Sequence, residues 1–216
     1  MNYIVIDLEY NQNFDFKVSN RAPSNPLLPL EVIQIGAVKL SGNMSTSGSF
    51  STLIKPKLYP RLNPFVSKVT GLKSANLSKA PYFPDGYRNL MSFIGRRKTV
   101  LCFWGNDDMK ELCRNALFYQ LNLDLMPLRY INVQKMVSLH LKMPPKRQLS
   151  LSSVVEKFGL TSDLPFHSAI NDAYYTAKVL KHIYNPNKSA NELEIMTFDL
   201  EKLSNCMEET KAGNGI

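Results

Sequence analysis

Asp7 and Glu9 interrupt an otherwise apolar run at the start of the chain, Tyr3-Ile4-Val5-Ile6-Asp7-Leu8-Glu9. Unbroken β-branched and aromatic residues read as a buried strand. Side chains alternate across a strand, so positions 7 and 9 point to one face and Leu8 to the other. Two carboxylates side by side repel each other and are costly to bury without a cation. Alone, the pair also fits a strand end that emerges into solvent. Two later segments supply company: Trp104-Gly105-Asn106-Asp107-Asp108, and His167-Ser168-Ala169-Ile170-Asn171-Asp172. Oxygen-only ligands select hard cations such as Mg²⁺ or Mn²⁺ over zinc. A pair of such ions can activate water and stabilise a departing oxygen, which is the chemistry of phosphodiester hydrolysis.

The elements that must position these residues follow from the pattern around them. Val100-Leu101-Cys102-Phe103 reads as a strand, and a helix begins near Asp107 with Leu112, Cys113, Ala116 and Leu117 at helical spacing. Asn106 or Asp107 can cap that helix while the next acid is favoured by its dipole. Spacing alone leaves open which of Asp107 and Asp108 faces a metal. Residues five apart on a helix differ by about 140° around the axis. His167 therefore falls in a loop after Pro165, with Asp172 inside an Ala- and Tyr-rich helix running to about Tyr184. The bland alternative makes His167 a cap and Asp172 a solvated face residue. The layout reads as strands at 2–8, 31–40 and 49–55, a looped region to about 84, a helix at 84–94 and a strand at 98–104. A helix at 107–119, a short strand at 129–132 and three further helices follow, an α/β sandwich.

Together the three acidic segments resemble the DEDDh branch of the DnaQ-like 3′→5′ exonucleases. That signature is Asp-x-Glu on the first strand, a middle Asp after a strand, and His-x-x-x-x-Asp near the end. Here it reads Asp7-Leu8-Glu9, Asp108 and His167 to Asp172. Glu31 to Val38 resembles the family's second strand, Val69-Thr70-Gly71-Leu72 its substrate-side turn, and Leu149 to Leu160 the helix before the last motif. The resemblance covers roughly residues 1–184 and implies an RNase H-like mixed five-stranded sheet flanked by helices. It implies that Asp7, Glu9, Asp108 and Asp172 hold two ions, Mg²⁺ or Mn²⁺, with Asp7 between them. His167 would deprotonate the attacking water, as an unperturbed pKa of about 6.5 allows near neutral pH. It also implies that Leu8, Tyr10, Gly71, Leu72, Trp104 and Asn106 contact a nucleic acid with a free 3′ end, which is released as nucleoside 5′-monophosphates. Trp104-Gly105 leans toward RNA-trimming members. Tyr10 departs from the threonine that family members often carry there, so contacts to the terminal nucleotide are expected to differ.

The remaining sequence is consistent with this. At 216 residues and 44% hydrophobic, the chain can bury one substantial core. The expected division is a domain at 1–184 and an extension at 185–216, broken at Asn185-Pro186-Asn187. The extension would hold a helix at 192–209 and a disordered tail from Lys211. Its stripe of Leu193, Met196, Leu200, Leu203 and Met207 suits docking on the core or pairing of two subunits as a homodimer. A net charge of +8 suits a polyanionic partner, with basic stretches at Gly95 to Lys98 and Lys142 to Arg147. Phe14, Phe16, Tyr59 and Phe65 lie in loop-like sequence, where aromatics either stack on bases or pack against their own domain. The segment 11–30, with Pro23, Pro26 and Pro29, is long for a loop and is expected to flank the site because it leaves the strand directly after Glu9. His140 and His182 read as structural. Cys102, Cys113 and Cys206 show neither paired nor metal-ligand spacing, which fits a reducing, cytoplasmic setting. No apolar run approaches a membrane span and no signal-peptide pattern opens the chain. Two competing readings are a scaffold that keeps the fold and binds nucleic acid without catalysis, and a phosphohydrolase of small nucleotides.

Overall fold

The computed structural model describes residues 1–15, 17, 24–95, 98–144, 147–185 and 194–214. Three antiparallel strands open the chain: β1 (Asn2–Asn11), β2 (Glu31–Leu40) and β3 (Thr46–Leu53). β4 (Thr99–Phe103) lies parallel to β1, β5 (Arg129–Asn132) parallel to β4, and β6 (Met196–Thr197) antiparallel to β5. The sheet order is β3-β2-β1-β4-β5-β6. The helices are α1 (Pro64–Thr70), α2 (Ser74–Ser78), α3 (Phe83–Ile94), α4 (Asp107–Phe118), α5 (Val133–His140), α6 (Leu151–Lys157), α7 (Ala169–Ile183) and α8 (Leu200–Asn214).

β1 shows why both faces of the sheet are covered. Ile4, Ile6 and Leu8 enter one core with residues of α3, α4 and α8, whereas Tyr3 and Val5 enter a second core with residues of α5, α6 and α7. A strand buried on both faces reads as a continuous apolar run, as this one does until its acids. β1 and β4 run parallel and end at the same sheet edge, where α4 and α7 also begin. Asp7 and Glu9 on β1, Asp108 on α4 and Asp172 on α7 are carried to that edge by three separate segments of backbone.

Several expectations need correction. The sheet has six strands rather than five, because Met196, taken as part of a helical stripe, pairs with Tyr130 instead. The final helix therefore begins at Leu200 rather than 192, and Asp199 caps it by accepting from the Lys202 N–H at 2.9 Å. It continues to Asn214, through residues expected to be disordered. Leu200, Leu203 and Met207 pack into the core beside α4, so the stripe docks on its own chain; Leu193 lies outside the described residues. The looped region before residue 84 contains α1 and α2. The signals for α1 were present: Asn63 caps it, Pro64 opens it, and Gly71 closes it in the left-handed conformation at φ 71°.

Between β1 and β2, residues 24–30 are tightly held. Leu28 is fully buried, and the Tyr59 hydroxyl donates to its carbonyl while accepting from the Asn25 N–H, both at 2.8 Å. Tyr59 is thus a structural aromatic. Phe16, Pro23, Arg96, Arg97, Pro145 and Lys146 lie outside the described residues.

Candidate active site

Asp7 sits opposite Gly36 and Glu9 opposite Gln34 in the β1–β2 register. Those two partners bring Asp172 to the pair. A Cβ at Gly36 would lie 2.2 Å from the backbone of Ala169 and Ile170, so only glycine allows the start of α7 to rest directly on the sheet. Beside it, the Gln34 side-chain oxygen accepts from the Ala169 N–H at 3.2 Å. α7 then carries Asp172 in its first turn, on the face shared by Asp7 and Glu9. Carboxylate oxygens of Asp7, Glu9 and Asp172 all lie within 4.8 Å of one another. Neither Gln34 nor Gly36 was singled out from sequence. An isolated glycine in a strand pattern, flagging a close backbone approach, is the signal that could have found Gly36.

Asp108 arrives from the other layer. It is buried at the start of α4, while Asp107 is exposed. Its Oδ1 accepts a hydrogen bond from the Tyr10 hydroxyl at 2.6 Å. Asn106 occupies the cap position without capping; its side-chain oxygen instead accepts from Asn132 at 2.9 Å, tying the start of α4 to that of α5. Gly105 makes the preceding turn at φ 101°. Trp104 is half-buried against the α5–α7 core.

His167 precedes α7 in the left-handed region, φ 64°, an uncommon conformation for a residue other than glycine. Its backbone N–H donates to Asp172 Oδ2 at 3.0 Å, and the residue is exposed. The loop that carries it is anchored by hydrogen bonds: the Tyr175 hydroxyl engages both the N–H and the carbonyl of Leu164 at 2.7 Å, and Asn171 donates to the Pro165 carbonyl at 2.8 Å.

The electrostatics of the cluster are those of carboxylates buried close together. Burial, then the charges of Asp108, Asp172 and Glu9, hold the Asp7 carboxyl well above the usual carboxylate range. Glu9 is pushed up to about 7 by burial and then by Asp172 and Asp108. Burial raises Asp108 against the opposing hydrogen bond from Tyr10, and raises Asp172 against its bond from His167. Asp172 Oδ1 is buried with no hydrogen-bond partner. An orphaned carboxylate oxygen amid other carboxylates fits a hard divalent cation, which would supply its missing partner.

Comparison with known proteins agrees with the geometry. Residues 4–180 match the family model for the RNase T exonucleases. The chain belongs to this exonuclease family. It is 26% identical over 180 residues, 82% of each chain, to the probable 3′-5′ exonuclease KapD of Bacillus subtilis strain 168. Its fold is similar to the nuclease domain of 3′hExo, a DEDDh family member solved with rAMP bound (TM-score 0.72, 18% identity, 92% of this chain and 96% of that one). It is also similar to E. coli exonuclease I complexed with single-stranded DNA, at TM-score 0.67 and 13% identity, covering 83% of this chain and 40% of that one.

The other expected contacts of this exonuclease fold are placed as follows. Leu8 is 4% exposed and its side chain packs in the α3–α4 core, so only its backbone remains to meet a substrate. Gly71 and Leu72 follow α1, which packs beside β1. Asn11, two residues beyond Glu9, ties that wall to the strand: its side chain donates to the carbonyls of Tyr59 and Arg61 and accepts from the Asn63 N–H. Phe65, in the first turn of α1, is 66% exposed, a large apolar ring left in solvent. Gln12 to Asp15, Lys17 and Leu58 to Arg61 line a cavity of about 480 Å³ just beyond the end of β1. Of the basic stretches, Lys98 lies next to the N-terminal end of β1, at the sheet edge opposite the carboxylates. Arg147 is exposed two residues before Leu149, whose carbonyl accepts from Gln134, a neighbour of Gly105.

Proposed function

We propose that the protein is a divalent-metal-dependent 3′→5′ exonuclease that hydrolyses single-stranded RNA or DNA to nucleoside 5′-monophosphates. One observation carries this: an RNase T family chain brings Asp7, Glu9 and Asp172 within ligand distance of one another and sets Asp108 beside them. In this reading those four carboxylates would hold two ions, Mg²⁺ or Mn²⁺. When bound, the ions supply Lewis acidity for the attacking water and the departing 3′ oxygen.

The chain's own residues do the rest. His167 takes the proton of the attacking water, its backbone tied to Asp172 and the residue itself exposed. Gly36 and Gln34 fix the height of α7, and so the position of Asp172, above the sheet. Phe65 and Trp104 offer faces on which bases near the 3′ end can stack. Arg147 and Lys17 supply positive charge for the phosphates upstream. Residues 1–184 form the catalytic unit, and β6 with α8 brace it. Three free thiols, two of them buried, fit a reducing cytoplasmic setting. Among the described residues, no helix is long and apolar enough to cross a membrane.

The topology of the substrate tests the proposal. With Mg²⁺ or Mn²⁺, a linear strand is expected to release nucleoside 5′-monophosphates while a circular strand of the same sequence stays intact. Cleavage of the circle, or release of 3′-monophosphates, would overturn it.

A further inference from the structure

Tyr10 stands where family members often carry threonine, and the structure gives it a partner other than substrate. The β1–β2 register slips between Glu9 and Tyr10: Glu9 faces Gln34, but Tyr10 faces Val32, so Ile33 is the extra residue of a bulge. Bulges beside functional sites re-aim side chains. Tyr10 is directed into the layer of α4, where its ring packs against the core and its hydroxyl meets Asp108 Oδ1 at 2.6 Å. That is the length of a strong O–H···O⁻ bond.

We propose that Tyr10 is a positioning residue for metal binding, holding one oxygen of Asp108 so that the other is presented to the ions gathered by Asp7, Glu9 and Asp172. Asp108 needs such a device. The other three acids share the α7 face of the sheet and lie within mutual reach, whereas Asp108 enters from the α4 side and is not part of that trio. A buried carboxylate on a helix start has several rotamers, and a single fixed donor selects one of them. Asn106 makes no side-chain cap hydrogen bond, and its oxygen accepts from Asn132. Threonine's short side chain could not carry a hydroxyl as far from the strand.

The inference rests on the proposed two-ion site, and its consequences separate it from a nucleotide contact. Partners that orient metal ligands typically change affinity or activity by about 10–100-fold when removed. Tyr10→Phe is expected to weaken Mn²⁺ binding, followed by calorimetry on the protein without substrate, by about tenfold or more. At saturating metal its KM for an oligonucleotide should be unchanged. In an Asp108→Asn background the same substitution should have no further effect on Mn²⁺ affinity, because the pair acts as a unit. Unaltered Mn²⁺ affinity in Tyr10→Phe, or an equal loss in both backgrounds, would overturn the inference. So would a raised KM with metal affinity intact, which would make Tyr10 a substrate contact. If the unsubstituted protein itself bound no divalent ion, the two-ion reading would fail first, and the two failures are therefore distinguishable.

Discussion

Glu9 shows what the cluster demands of its members: its carboxyl rises from an ordinary 4.5 to about 7, chiefly through burial and then through Asp172 and Asp108. A carboxyl whose folded pKa is raised binds more protons in the folded than in the unfolded state. Its contribution favours the folded state at low pH and is lost as pH rises from its unfolded pKa through its folded one. Asp7, Asp108 and Asp172 shift in the same direction. In chelator, the melting temperature is therefore expected to fall between about pH 4.5 and 7, and Mg²⁺ or Mn²⁺ should restore it at the upper end. Asp7→Asn should flatten the metal-free fall. A metal-free melting temperature that rises across that window, with no response to the substitution, would contradict the assignment. His167 belongs to the same scale with a different role. His167→Ala is expected to lower kcat by about 10²–10⁴-fold, the usual range for a lost general base, with the metal-induced rise in melting temperature unchanged. Full turnover in that variant would remove His167 from the chemistry. The convergence of Asp7, Glu9 and Asp172 was legible only when the three segments were read together, since each alone also fits a capping or solvated residue. The Tyr10–Asp108 bond joins residues 98 apart and follows from a bulge, so no local pattern announces it.

Among the elements, the contact between α7 and β2 controls the site most directly. Gly36 lies opposite Asp7, and its missing Cβ is the space that the Ala169 backbone occupies. Gly36→Ala requires the helix to rise or the strand to bend. Overpacking of this kind costs about 1–3 kcal/mol, and a 1 Å displacement of a catalytic group can cost about 10²-fold in rate. The variant should therefore melt lower and lose most of its kcat, which thermal unfolding and single-turnover kinetics measure separately. Normal kinetics in a folded Gly36→Ala protein would show that α7 is positioned by something else. The long elements, β1, β2, α3, α4 and α7, follow their sequence patterns closely. α1 and α2 were missed because they are short and their caps sit in a Pro-rich stretch that reads as loop. β6 was missed because two residues carry no periodicity, and only the edge of β5 gives them a partner.

For the molecule as a whole, the final helix closes the core beneath the sheet. Leu203 and Met207 are buried in the same cluster as Ile4, Ile6 and Leu8, the residues that flank the first acids on β1. Leu203→Ala should cost about 2 kcal/mol, a fall of about 4–8 °C in melting temperature for a domain of this size. The metal-binding constant should be unaltered, since no carboxylate moves. A variant that kept its stability would mean that α8 is only loosely attached to the core. The central claim concerns the four carboxylates acting together on a 3′ end. Its most direct test is to incubate 5′-labelled single-stranded RNA and DNA with the protein and Mg²⁺ or Mn²⁺, beside a chelator control and an Asp108→Ala variant. A ladder that shortens from the 3′ end with metal, and is absent both in chelator and in the variant, is the predicted result. Binding of either polymer with no cleavage under any condition, or cleavage that survives in Asp108→Ala, would contradict it.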